Sequence, residues 1–178
     1  APPARQAKRA GLDLGAGNRH RRKMRIKTLL IVAHAPSANT RALRDAATAG
    51  ARDPAISGVE VVVRNPFDAD VPAVRSADAI LLGTPENLGF MSGALKDFFD
   101  RIYYPCLETT QGRPFAAYIR AGHDGTGTQR ALATITTGLR WRQVAPPLVL
   151  RGDYQADFAD RCRELGMTMA AGLESGVF

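Results

Sequence analysis

Cysteine is nearly absent: Cys106 and Cys162 are the two thiols in 178 residues. Two cysteines cannot build a disulfide framework, and with His20, His34 and His123 they make no metal-ligand spacing. A reducing cytoplasm and no metal are therefore expected. No apolar run approaches the roughly 18–20 residues that cross a bilayer, which argues against membrane insertion. Lysine is also scarce, four against twenty arginines. None of the four stands in a GxxxxGK[ST] frame, so a triphosphate loop is missing. No serine lies in a GxSxG frame, and the placed motifs offer no nucleophile–His–acid set, which leaves a hydrolase without support. Disorder throughout is excluded by 45% hydrophobic and 23% charged residues.

What is present in excess is positive charge, a formal +7, but its distribution is lopsided. Residues 1–23 carry +6 of it, and 24–178 carry +1. The first stretch, rich in Ala, Gly, Pro and Arg, has no apolar period and no secretory-type apolar core. It reads as a disordered basic extension, or as translation from a start codon ahead of Met24. Its GAGNRH at 15–20 imitates a dinucleotide fingerprint without a preceding strand. The rest, 24–178, is near neutral and reads as one domain whose partners need not be nucleic acid.

From Met24 onward, strands and helices alternate. Ile26–Ala33 is a short, nearly continuous apolar run, the mark of a strand covered on both faces. Further strands are expected at Val59–Val63, Ala77–Gly83, Phe115–Ile119 and Leu148–Leu150. Helices are expected at Asn39–Gly50, Ser92–Tyr104 (stopped by Pro105), Thr126–Trp141 and Tyr154–Ala171. Asn65–Arg75, with Pro66 and Pro72, reads as loop or a single turn. This alternation predicts an α/β, doubly wound, five-stranded parallel sheet with helices on both faces. Ligands of such sheets bind at the C-terminal edge of the strands, which singles out loops 34–40, 84–92 and 121–128.

In the first loop Ser37, Asn39 and Thr40 precede a helix start, where backbone N–H groups and the helix dipole favour a phosphate. The same residues are also ordinary helix caps, and the two readings weigh evenly. In the second, Thr84-Pro85-Glu86-Asn87-Leu88-Gly89-Phe90 can offer backbone groups to a flat heterocycle while Leu88, Phe90 and Met91 cover its faces. Phe90 and Met91 as plain core residues are the competing reading. In the third, Gly122 and His123 form a flexible rim. His123 beside Asp124 is either a titrating pair or solvated. Gly125-Thr-Gly127-Thr-Gln-Arg130 is a weak GxGxxG, because an arginine in the last place would obstruct helix–strand packing.

With these segments in view, ADAILLGTPENLGFMSGALKDFFD at Ala77–Asp100 and the PSANT segment at 36–40 resemble the flavodoxin-like NAD(P)H-dependent FMN reductase family over about residues 24–170. The resemblance implies strand order 2-1-3-4-5 and a homodimer or homotetramer with the flavin near a subunit interface. It implies FMN phosphate on Ser37, Asn39 and Thr40. The isoalloxazine would lie against Thr84, Pro85, Glu86, Asn87, Leu88, Gly89 and Phe90, with Gly122 and His123 closing over it. Glu86 and Asn87 stand where members often carry an aromatic residue. A carboxylate there either faces the ring, disfavouring an anionic reduced flavin, or turns away to cap backbone donors.

The function this implies is passage of electrons from NADPH or NADH, through FMN, to a quinone, flavin or other small acceptor. The cofactor carries the chemistry, so no catalytic side chain is expected. A flavodoxin-type electron carrier and a flavin-free binding module are the alternatives. Arg41, Arg44 and Arg120 are candidates for a nicotinamide-nucleotide phosphate or, more simply, solvated cations.

Overall fold

The computed structural model describes residues 25–178; the basic extension expected at 1–23 lies outside the described residues. Strand β1 (Lys27–Ala33) is fully covered from Leu29 to Ala33, as its unbroken apolar run requires. Helix α1 (Ala38–Ala51) follows, then β2 (Val59–Arg64), a half-exposed edge strand. The segment read as loop holds a short helix, α2 (Val71–Ser76). Asp70 caps it by accepting the Ala73 N–H at 2.9 Å, and Pro72 sits in the first turn, where its missing N–H costs nothing.

Strand β3 (Ala79–Asn87) runs four residues past its expected end. It continues because β4 (Phe90–Met91) folds back on it, pairing Glu86 with Met91 and Asn87 with Phe90. The second loop is thus a β-hairpin with a two-residue turn, Leu88 and Gly89, both at positive φ. Helix α3 (Gly93–Cys106) does not stop at Pro105 as expected but includes it. A proline there removes only one bond from the last turn.

Strand β5 (Pro114–Ala121) and helix α4 (Thr126–Gly138) come next. The helix ends before Trp141 because Arg140 turns to φ 57°, sending the Trp141 indole back to Thr110, whose Oγ1 accepts its N–H at 2.9 Å. Two further strands, β6 (Arg142–Gln143) and β7 (Leu148–Arg151), precede the closing helix α5 (Asp157–Ser175).

The sheet runs β2-β1-β3-β5, all parallel. On the outer edge of β5, β6 pairs with its first residues and β7 with its last. The expected order 2-1-3-4-5 is therefore kept with its fifth strand split in two. With the hairpin strand added, the five strands expected become seven. Pro146 and Pro147 lie in the gap and have no N–H to give to a ladder.

Helices α1 and α5 pack on one face, around Leu43, Phe158, Cys162 and Met169; α2, α3 and α4 pack on the other, around Val74, Phe98, Ile102 and Leu132. The α1–α5 crossing is a reciprocal glycine contact. A Cβ at Gly50 would strike the Arg163 carbonyl, and one at Gly166 the Ala47 carbonyl. Cys106 and Cys162 sit on opposite faces of the sheet and are both free and buried. Burial raises both thiols, Cys162 to about 12, so neither is a thiolate nucleophile.

Candidate functional site

Parallel pairing brings the ends of β1, β3 and β5 to one edge: Ala33 lies beside Gly83, and Pro85 beside Arg120. The His34 N–H donates to the Gly83 carbonyl at 2.9 Å, fixing the first loop to the base of the hairpin. The three expected loops therefore do converge.

At the start of α1 the capping reading of the first loop is realised. Ser37 and Thr40 form a capping box: the Thr40 N–H donates to Ser37 Oγ at 3.1 Å, and the Ser37 N–H to Thr40 Oγ1 at 2.9 Å. Thr40 is buried, and its hydroxyl donates to the Ser37 carbonyl at 3.1 Å, so the expectation that it faces a ligand is corrected. Ser37 and Asn39 are exposed. The Ala38 and Asn39 N–H groups have no partner among the described residues, and the first turn holds no carboxylate. The helix end is thus free to receive an anion. Nearby, His34 Nδ1 is buried with no hydrogen-bond partner, and burial lowers its pKa, leaving the ring neutral at pH 7.

The hairpin separates the residues of the second loop. Thr84 is buried and structural: its hydroxyl donates to the Pro85 carbonyl at 2.8 Å and accepts the Ser92 N–H at 3.0 Å. It closes the hairpin base and is not presented to a ligand, another correction. Pro85 and Glu86 are half-buried; Asn87, Leu88, Gly89 and Phe90 are exposed. Leu88, at φ 53°, is wholly exposed. Met91 is core, as the competing reading had it, whereas Phe90 is 41% exposed.

Glu86 caps a backbone donor of the third loop. Its Oε1 accepts the backbone N–H of His123 at 2.9 Å, latching the hairpin to the third loop. Just beyond, Gly127 lets the hairpin tip rest on α4, since a Cβ there would strike the Gly89 carbonyl. Gly122 and His123 are exposed, and a Cβ at Gly122 would meet open space. Asp124 does not pair with His123. It accepts the Thr126 N–H at 2.9 Å, and hydrogen bonds from Thr126 hold its carboxyl below the usual range.

Arg120 is no phosphate ligand. It donates to the carbonyls of Ala121, Leu150 and Gly152 at 2.9, 3.2 and 2.6 Å and lies over the Phe158 ring. Arg44 pairs with Asp45 at 2.9 Å, and Arg41 reaches the Pro36 carbonyl at 3.3 Å. No group of His, Cys, Asp and Glu among the described residues could hold a metal. Sequence reasoning missed the unpartnered His34 imidazole, which follows a strand without any motif around it. It also missed Arg130, set aside as a spoiled fingerprint, which stands exposed on α4.

The open helix end and a hairpin presenting Leu88 and Phe90 fit an anionic group joined to a flat apolar ring. The family model described as NADPH-dependent FMN reductase matches residues 26–155. A flavodoxin of Aquifex aeolicus (strain VF5) is 28% identical over 111 residues, 62% of this chain and 59% of that one, so less than two thirds of that relative is spanned. Among solved structures, a flavodoxin from the domain Archaea superposes with a TM-score of 0.67 at 20% identity, covering 82% of this chain and 98% of the other. An NADH:FMN oxidoreductase in its apo form gives 0.65 at 18% identity, covering 84% and 91%. These structural likenesses speak for the flavodoxin-like fold.

Proposed function

From the chain's membership of the NADPH-dependent FMN reductase family, we propose that it is a flavin-binding oxidoreductase that passes electrons from NAD(P)H to a small acceptor such as a quinone or free flavin. FMN is the cofactor and NAD(P)H the reductant that membership brings. The observation that carries the reading is the start of α1. Two uncommitted N–H groups and no opposing carboxylate stand at the same sheet edge as the hairpin. There Ser37, Asn39 and the helix-end N–H groups would hold the phosphate. Pro85 to Phe90 form one wall, and Gly122 with His123 the other. Bound in that place, FMN supplies two-electron redox chemistry.

The chain's own residues bind and orient, and Glu86 keeps the two walls together through the His123 N–H. One carboxylate oxygen is engaged by a backbone donor, which supports the reading in which Glu86 caps backbone instead of facing the ring. A homodimer or homotetramer in a reducing cytoplasm completes the proposal. No helix among the described residues is long and apolar enough to cross a membrane.

An absorbance titration with FMN, followed by anaerobic NADPH, tests the assignment. The expected outcome is bound flavin bleached by NADPH. Bound flavin that NADPH leaves oxidised would favour an electron carrier, the second reading, which the similarity to flavodoxins supports. A folded protein that binds no flavin would overturn both.

A further inference from the structure

Helix α4 turns Gly127, Arg130, Ala131 and Ile135 to one side, spaced at one helical face. Opposite them stand Phe90 of the hairpin and Lys96 of α3, and together they line a groove of about 500 Å³. Its floor is carbon: a phenyl ring, an isoleucine, an alanine and a glycine. A groove of that size and character suits a flat ring.

The two cations on its rim are in different states. Lys96 Nζ is paired with Asp100 Oδ1 at 2.6 Å. The Arg130 guanidinium has no hydrogen-bond or ion-pair partner among the described residues; only its backbone carbonyl is used, by the Thr134 hydroxyl. The groove is also continuous with the candidate site. Phe90 belongs to the hairpin, and Gly127 is where the hairpin tip meets α4.

We infer that this groove receives the phosphorylated adenosine end of NADPH, with the purine on the apolar floor and Arg130 gripping the 2′-phosphate, so that Arg130 sets the preference for NADPH over NADH. This rests on the reductase reading above. A guanidinium matches a phosphate through paired N–H bonds and stays charged at every working pH. The 2′-phosphate is the one group that distinguishes the two reductants, so the unpaired cation decides between them. A dinucleotide whose nicotinamide lies at the hairpin has its other end directed along the groove that begins at Phe90.

The test is calorimetric titration of the full chain with adenosine 2′,5′-bisphosphate and with 5′-AMP, which lacks the 2′-phosphate. The bisphosphate binds at least about tenfold tighter to the wild type, and Arg130→Ala brings the two ligands level. In the same variant the NADPH-over-NADH ratio of kcat/KM falls by a similar factor. Ala131→Trp, which fills the groove, abolishes bisphosphate binding and leaves the sedimentation coefficient unchanged. Equal affinity of the wild type for both ligands, or discrimination that survives in Arg130→Ala, overturns the inference. So does a sedimentation change in Ala131→Trp with no bisphosphate binding by the wild type, which would make the groove an interface between copies. An FMN titration alongside separates the two failures. A chain that binds FMN without discriminating loses this inference alone, whereas one that binds no FMN loses the reductase reading and this inference with it.

Discussion

Tyr118 lies on β5 with its ring over Gly83, fully enclosed, and its hydroxyl has no partner. Burial raises its pKa far above the ordinary value, so it stays a neutral phenol whose buried O–H is uncompensated. Tyr118→Phe is therefore expected to raise stability by about 1 kcal/mol, read as the midpoint of urea unfolding. Had the hydroxyl found a hidden partner, the midpoint would fall instead. His34 gives a second prediction, one with a pH dependence. Its folded pKa lies below the unfolded value of about 6.5, so the unfolded chain binds the proton first. The stability its neutral form contributes is whole above about 6.5 and is lost as pH falls through the folded pKa. Urea midpoints of the flavin-free protein between pH 7.5 and 5 (values set by that window) should drop in the wild type and drop less in His34→Gln. Neither residue was legible in the sequence. A lone histidine after a strand and a tyrosine within one carry no pattern, and only packing reveals that their polar atoms lack partners.

Among the elements, the hairpin carries the clearest conflict between local preference and position. A two-residue turn with positive φ at both places favours Asn-Gly, yet the first place is Leu88, exposed and left-handed. Such a conformation costs a non-glycine residue roughly 1 kcal/mol or more. Leu88→Asn is expected to stabilise the flavin-free fold by about 0.5–1 kcal/mol while weakening FMN binding, since an apolar wall of the candidate site is lost. Thermal unfolding and a flavin titration on one preparation check both signs. At the α1–α5 crossing the expectation is the reverse. Gly166→Ala would press a methyl group on the Ala47 carbonyl, and backbone cannot yield cheaply, so a loss of about 1–3 kcal/mol is expected. The central strands were readable because both their faces are covered, which forces unbroken apolar runs such as Leu29–Ala33. The hairpin was not, because TPENLGF has the Pro, Asn and Gly of a loop, and its pairing to Phe90 and Met91 is set by two residues. The end of α4 escaped for a similar reason: Arg140 takes a positive φ where a glycine would have marked the stop.

Across the whole molecule, arginine and lysine do work that the charge count did not announce. Arg101 donates to the carbonyls of Pro66 and Ala69, Arg75 to Pro105, Arg120 to Ala121, Leu150 and Gly152 at the ends of β5 and β7, and Lys27 to Leu173. They add donors to carbonyls at loops, strand ends and helix ends. Of these cations, Arg120 reads from the sequence as a phosphate ligand or a solvated cation, whereas it joins strand ends. Glu86 is the acidic counterpart. Glu86→Ala frees the His123 N–H and lets the hairpin and third loop part, so hydrogen exchange at residues 121–125 should quicken at least about tenfold, with Glu86→Gln restoring most of the protection. The whole topology was legible as alternating strands and helices, and the site's place followed from it; the split of the last strand was not. That split has a consequence for how these molecules meet in a crowded solution. A bare strand edge invites another chain to add itself, and here the rim beyond β5 offers pieces of two and four residues broken by paired prolines. It is too fragmentary to template a fibre. Any sheet-to-sheet growth would have to start from β2, where Glu60 and Arg64 stand exposed as gatekeepers.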